Sequence, residues 1–114
     1  MPRATTTSDA FNAIAEPRRR AIIELLAKRG ALAVGAIVAA LGFQQPDVSK
    51  HLAVLREVGI VSVSQDGRQR VYRLEAESLK TVHDWVKAFE EHWSHLMDRI
   101  KERAERKAAS KKQK

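Results

Sequence analysis

From Ala33 to Leu41 the chain reads AVGAIVAAL, almost wholly apolar, and from Gln44 to Arg56 it reads QQPDVSKHLAVLR, where apolar residues recur at steps of three and four. The first run predicts a short buried helix and the second an amphipathic helix with a polar, amide-rich start. Gly42-Phe43 between them predicts a tight turn. After Gly59 the pattern changes to alternation. Ile60–Ser64 (IVSVS) and Gln69–Leu74 (QRVYRL) predict two strands joined through Asp66-Gly67, a hairpin signal. Upstream, Thr7 or Ser8 is placed to cap a helix reaching about Ala15, with Phe11, Ile14 and Ala15 on its apolar side. Glu16-Pro17 ends it, and Pro17 suits the first turn of a second helix running to about Arg29. Ala21, Ile22, Leu25 and Leu26 line that helix, and Gly30 is its stop. Ile37, Leu41, Val48, Leu52 and Leu55 are the expected core of the central helix pair, with Val61, Val63, Val71 and Leu74 added by the strands. Downstream, Leu79, Val82, Val86, Phe89, Trp93, Leu96 and Ile100 follow one another at steps alternating between three and four. That is an unbroken heptad seam on one long helix, widened by Trp85 and Met97.

Helix, turn, helix, hairpin is the order of a winged helix-turn-helix, a mainly α fold with a small β-hairpin. Residues 8–100 are expected to form one such domain, after a disordered segment 1–7. Residues 101–114 are expected to finish the last helix and then continue as a disordered basic tail. The usual work of this fold is to read double-stranded DNA, since the major groove admits one α-helix. One small domain cannot easily cover so long and aromatic a seam. The expected partner is therefore a second copy, giving a homodimer through Leu79, Val82, Val86, Phe89, Trp93, Leu96 and Ile100, with Phe11 of the first helix alongside. A dimer also answers a shortfall, because one winged helix touches too few bases for high specificity.

Candidate chemistry follows from this frame. Gln44 and Gln45 offer paired amide donors and acceptors that suit adenine edges. Pro46 lies in the first helical turn, where its missing N–H costs little. Ser49 could reach a base or a phosphate, and Lys50 a guanine or a phosphate. His51 is open between a phosphate contact and packing against the hairpin. Arg68 and Arg70 on the hairpin suit phosphates or the minor groove. Arg18, Arg19 and Arg20 begin a helix, where their charge opposes the macrodipole. That cost points to another use, either backbone contact or an ion pair with Glu16 or Glu24.

The net charge of +7 changes the picture less than its size suggests. Residues 101–114 hold seven Lys/Arg and two Glu, a balance of +5, and the rest of the chain carries only +2. Local clusters carry more information: Arg18–Arg20, and the set Lys50, Arg56, Arg68, Arg70 and Arg73 over the DNA-facing unit. The chain has no cysteine, which excludes disulfides, thiolate metal sites and cysteine nucleophiles. No apolar run approaches the ~20 residues that span a bilayer, and MPRATTTSDAF has no apolar signal core. No membrane partner and a cytoplasmic location are expected.

The stretches EPRRRAIIELLAKRG, ALAVGAIVAALGFQQPDVSKHLAVLREVGIVSV and DGRQRVYRL resemble the ArsR/SmtB-type bacterial winged-helix repressors over roughly residues 8–100. The resemblance implies a homodimer that binds an inverted-repeat operator and represses, often at its own promoter. Many family members release DNA when a metal binds. The thiolate site of the family falls here on ALAVGAI, with Ala33 and Gly35 in the cysteine places. The last-helix site of the family, Asp-x-His, ten residues, then His-x-x-Glu or His, has two possible registers. One uses His95, Asp98 and Asp84 but needs Val82; the other uses His92 and His95 but needs Thr81 and Leu79. Neither is complete, so no metal cofactor is expected, and the pattern looks like a branch without the cysteine site. Two other readings stay open: a metal-responsive repressor using His92 and His95, and a winged helix that binds protein rather than DNA. An enzyme is the weakest option, since there is no phosphate-binding glycine loop and no Ser/His/Asp constellation. The effector, the operator sequence and the regulated genes are not written in the chain.

Overall fold

Asp9 starts the first helix. In the computed structural model, which describes residues 9–112, its Oδ1 accepts hydrogen bonds from the backbone N–H groups of Phe11 (2.6 Å) and Asn12 (3.2 Å). These are two of the donors a helix start leaves unpaired. The cap is thus Asp9; Thr7 and Ser8, like the expected disordered segment, lie outside the described residues. Helix α1 (Ala10–Ile14) is five residues long. Its inward stripe is Ala10, Ala13 and Ile14, at helical spacing, with Ala13 fully buried. Phe11 and Ala15 therefore face outward, against the expected set of Phe11, Ile14 and Ala15.

Helix α2 (Pro17–Arg29) has Pro17 in its first turn, and Glu16 Oε1 accepts from the Arg18 N–H at 3.1 Å. It ends where the Gly30 N–H donates to the Leu26 carbonyl. A two-residue strand, β1 (Leu32–Ala33), comes next, then α3 (Val34–Leu41), which the sequence predicted to start one residue earlier. Gly42 closes α3 at φ 72°, the left-handed region that side chains with a Cβ rarely adopt, so the turn is short and fixed. Helix α4 (Gln45–Glu57) follows after only Phe43 and Gln44.

The wing is a sheet of three antiparallel strands, β1, β3 (Gln69–Leu74) and β2 (Val61–Asp66), in the order β1-β3-β2. The hairpin extends two residues further toward its tip than predicted, and β1 had no signal beyond the apolar Leu32-Ala33 pair. Register decides which residues face the core. Val61 pairs with Leu74 and Val63 with Tyr72, so these four share one face, and Leu32 joins Tyr72 from the other side. Val71 was expected to point inward with Leu74. Three positions apart on a strand of period two, they cannot share a face. Tyr72 takes the inward place and is 9% exposed.

Beneath the sheet, Ile22, Leu25 and Leu26 of α2, Ile37 of α3 and Val48, Leu52 and Leu55 of α4 meet Ile60 and Val61 in one cluster. Leu41 and Ala21 are only half-buried. Each fully buried aliphatic side chain contributes about 1.5–3 kcal/mol before entropy is counted. The three from α4 therefore fix which side of that helix faces inward.

After β3 a 3₁₀ turn (Ala76–Leu79) leads to α5 (Lys80–Lys87), and Leu79 packs against this core. The chain divides into two compact units after Val82. In the second unit the long helix is not continuous. Ala88 and Phe89 donate to the carbonyls of Trp85 and Val86, three residues back, before α6 (Glu90–Lys112) begins. The seam was predicted unbroken, and no Pro or Gly marks the break. Its aromatic rings still form a ladder across it: Trp85 and Phe89 meet edge to face at 5.1 Å between centroids, and Phe89 and Trp93 stack at 6.5 Å. Phe89, Trp93, Leu96, Met97 and Ile100 are all exposed, Trp93 by 49% and Ile100 by 53%. Helix α6 carries the basic segment as far as Lys112.

Candidate nucleic-acid interface

Helix α4 has three sides. One is the buried line Val48, Leu52 and Leu55. A second faces α2: Asp47 Oδ2 accepts from Arg18 Nη1 at 2.9 Å, and His51 Nδ1 lies 3.5 Å from Arg19 Nη1. The third is exposed and holds Gln45, Ser49, Ala53 and Arg56 at steps of three and four, with Lys50 beside Ser49. Gln44, at the N-cap, extends this side beyond the helix; its side chain makes no capping bond. Among the described residues, none hydrogen-bonds to the side chains of Gln44, Gln45, Ser49 or Lys50. Their donors and acceptors are therefore available to a groove.

The wing tip is set by its turn. Asp66 and Gln69 form the last pair, which leaves Gly67 and Arg68 as a two-residue loop. Gly67 has φ 64° and Arg68 does not have positive φ, the pattern of a Gly-X type II′ hairpin turn. Gln65 Nε2 braces it with a bond to the Gly67 carbonyl at 3.2 Å. Arg68 is thereby held at the tip and exposed. Arg70 lies opposite Gln65, exposed, with its guanidinium 5.9 Å from the centre of the Tyr72 ring.

Of the two uses the sequence offered for the arginines of α2, Arg19 and Arg20 take backbone contact, here with carbonyls of α1. Arg19 Nε donates to the Ala13 carbonyl at 2.6 Å and its Nη2 to the Asn12 carbonyl at 3.3 Å; Arg20 Nη1 donates to the Ile14 carbonyl at 2.6 Å. They satisfy the last carbonyls of α1, the end of a helix that attracts cations. The expected carboxylate partners, Glu16 and Glu24, are not the ones used by the side chains. Arg18 instead pairs with Asp47 across 29 positions and lies 5.0 Å above the Phe43 ring. Both partners of that pair are about half exposed, so its stability contribution is ~1 kcal/mol at most. A signal for it existed: Asp47 is the one acidic residue in the first turn of α4.

His51 sits beside Arg19 rather than against the wing. Burial and the Arg19 cation hold its pKa below the ordinary value near 6.5, while the Glu16 and Asp47 carboxylates act the other way. On α6, His92 and His95 are exposed. Among the described residues, no three His, Cys, Asp or Glu side chains come together as a metal site would require. No helix among them is long and apolar enough to cross a membrane.

The sequence profile of the bacterial regulatory protein arsR family matches residues 16–63, which span α2, the helix-turn-helix and the start of the wing. Over 82 residues the chain is 30% identical to the transcriptional repressor SdpR of Bacillus subtilis, covering 72% of this chain and 90% of that protein. The chain belongs to the arsR family of bacterial regulatory proteins. It is 36% identical over 88 residues to the arsenic resistance transcriptional regulator ArsR1 of Pseudomonas putida, which covers 77% of this chain and 66% of that protein. Among solved structures it is similar to the homodimeric winged helix-turn-helix DNA-binding domain Mb0332 of Mycobacterium bovis, at a TM-score of 0.60 and 26% identity, covering 80% of this chain and 91% of that one. This arsR-family chain is accordingly a winged helix-turn-helix, as its helix-turn-helix and hairpin patterns predicted, and a DNA-binding transcriptional regulator.

The depressed pKa of His51 has a consequence for stability. The unfolded chain takes up the proton at the ordinary value, the folded chain only at lower pH. The stability associated with neutral His51 is therefore present above about 6.5 and is lost as pH falls from there through the lower folded value. Urea unfolding should show a loss on acidification over this range that is smaller in His51→Gln. Equal losses in both proteins would contradict the placement of His51.

Proposed function

We propose that this arsR-family regulator is a homodimeric repressor that reads an inverted-repeat operator with the exposed side of α4 and steadies itself with the wing. The observation that carries this reading is the free side of α4. Among the described residues its amides, hydroxyl and ammonium have no hydrogen-bond partner, while the opposite side is locked into the core. Gln44, Gln45, Ser49 and Lys50 are the base-reading candidates. Arg68 and Arg70 give affinity and salt dependence without sequence information. His51, on the flank toward α2, supports the position of α4 instead of touching DNA.

The apolar stripe Val86, Phe89, Trp93, Leu96 and Ile100, with Phe11, is assigned to the second copy. Along the second unit, exposed apolar side chains such as Phe89, Trp93, Leu96 and Ile100 mark an interaction site, and a homodimeric relative of the same fold supports it. Val82 continues the stripe into α5. Leu79, packed on the core of its own chain, marks where the stripe begins. The reading assigns no metal, because both registers of the last-helix site put Leu79, Thr81 or Val82 where a ligand is needed. It places the protein in the cytoplasm, with repression of its own promoter as one use, and leaves the effector unassigned.

Two outcomes test it. Phe89→Asp combined with Trp93→Asp should give monomers that keep the circular dichroism of the helices and lose operator binding; an intact dimer in sedimentation would contradict the assigned interface. Gln45→Ala and Ser49→Ala should lower affinity for a preferred duplex more than for a random one. Arg68→Ala and Arg70→Ala should weaken both alike and each reduce the salt slope by about one. Identical behaviour of all four variants on both duplexes would contradict the division between reading and positioning groups.

A further inference from the structure

Arg19 makes an unusual set of contacts for a side chain in the first turn of a helix. Its fork reaches two carbonyls at the end of α1, Ala13 at 2.6 Å and Asn12 at 3.3 Å, and its remaining terminal nitrogen, Nη1, lies 3.5 Å from His51 Nδ1 on α4. We propose that Arg19 is a positioning residue for DNA reading, which ties the end of α1 to the flank of the recognition helix through neutral His51. The angle at which α4 presents Gln45, Ser49 and Lys50 then depends on α1 and on the charge of His51. This inference rests on the assignment of those residues as readers.

The chemistry permits the tie in one protonation state only. A guanidinium has donors and no acceptor. His51 Nδ1 can meet it favourably only as an unprotonated acceptor, with the ring proton on Nε2. Protonation turns the acceptor into a donor and sets two cations side by side. The charged groups around His51 are Arg19, Arg18 and Glu16 from α2 and its cap, and Asp47 from α4 itself. Asp47 is already paired with Arg18, which limits its power to compensate. Arg19 cannot simply swing away, because two of its donors are held by α1. Relief must then come from the α4 side.

That side is where movement matters. The buried line of Val48, Leu52 and Leu55 fixes the long axis of α4 but resists rolling about that line less than sliding along it. Asp47 and His51, one turn apart on the flank, are the contacts that oppose a roll. Base-reading groups must be held within about 0.5 Å and 10–20° of their productive geometry, so a small roll costs discrimination before it costs folding. Acidification also has a distinguishing sign here. Added positive charge raises attraction for any DNA phosphate, while a roll of α4 weakens base reading alone, so specific and random affinity should converge, with their ratio falling.

The test uses the full chain, a duplex selected by that chain from a random library at neutral pH, and a scrambled duplex of the same composition. The ratio of the two affinities should fall about fivefold or more, the low end of measured coupling between sites, as pH drops from ~8 to ~5.5, the range in which histidine changes charge. His51→Gln should remove this pH dependence. Arg19→Gln should lower the ratio at neutral pH, flatten its dependence on pH and raise the His51 titration midpoint seen by NMR. A parallel fall of the ratio in wild type and His51→Gln would overturn the proposal, as would an Arg19→Gln variant with an unchanged ratio and an unchanged His51 titration. Failure to select any preferred duplex would overturn the reading role of α4 as well, which separates the two claims.

Discussion

Everything the interface does depends on one buried line. Val48, Leu52 and Leu55 of α4 are together almost inaccessible to solvent, and they meet aliphatic side chains from α2, α3 and the start of the wing. Their burial is large compared with any polar contact on the helix. It outweighs the Arg18–Asp47 pair several times over. The polar side of α4 is therefore outward by exclusion, and its amides and ammonium, without hydrogen-bond partners among the described residues, are available without breaking any bond seen there. In this arsR-family regulator, recognition chemistry is placed by packing and then trimmed by charge.

The arginines of α2 show how such trimming is built. Three cations at the start of a helix oppose its dipole, a cost that only a stronger use can offset. For Arg19 and Arg20 the use is the carboxyl end of the preceding short helix, where they donate to the Ala13 and Ile14 carbonyls and to that of Asn12, which also accepts from the Ala15 N–H. A five-residue helix has little stability alone. Held by Arg19 and Arg20, it becomes a fixed part of the first unit, and through Arg19 it touches the recognition helix.

What the sequence disclosed and what it hid have physical reasons. The helix-turn-helix was legible because its signals agree: Gly42 closes the turn, Pro46 starts the helix, and Val48, Leu52 and Leu55 recur at helical steps. The hairpin was legible from alternation and Asp66-Gly67. Val71 was misjudged because an apolar residue next to Tyr72 looks inward by type, whereas register, set by the pairing of Val63 with Tyr72, decides the face. The partners of Arg18 and Arg19 were hidden because they lie 29 and 32 positions away or are backbone carbonyls, which carry no mark in the sequence. The break at Ala88-Phe89 left no mark either, since the heptad steps run straight through it. The candidate readers were visible as residue types at helical spacing, but their lack of internal partners belongs to the three-dimensional arrangement.

The absence of cysteine makes the central claim directly measurable. A single cysteine introduced as Ala53→Cys, on the exposed side of α4 between the candidate readers and Arg56, can carry a tethered iron chelate that cuts nearby DNA. A second protein labelled through Lys28→Cys, on α2, serves as the control. The account predicts cutting from position 53 confined to two places on a selected duplex, related by the symmetry of an inverted repeat, and little or none from position 28. Diffuse cutting from position 53, or the same pattern from both positions, would contradict the claim that this side of α4 enters the groove.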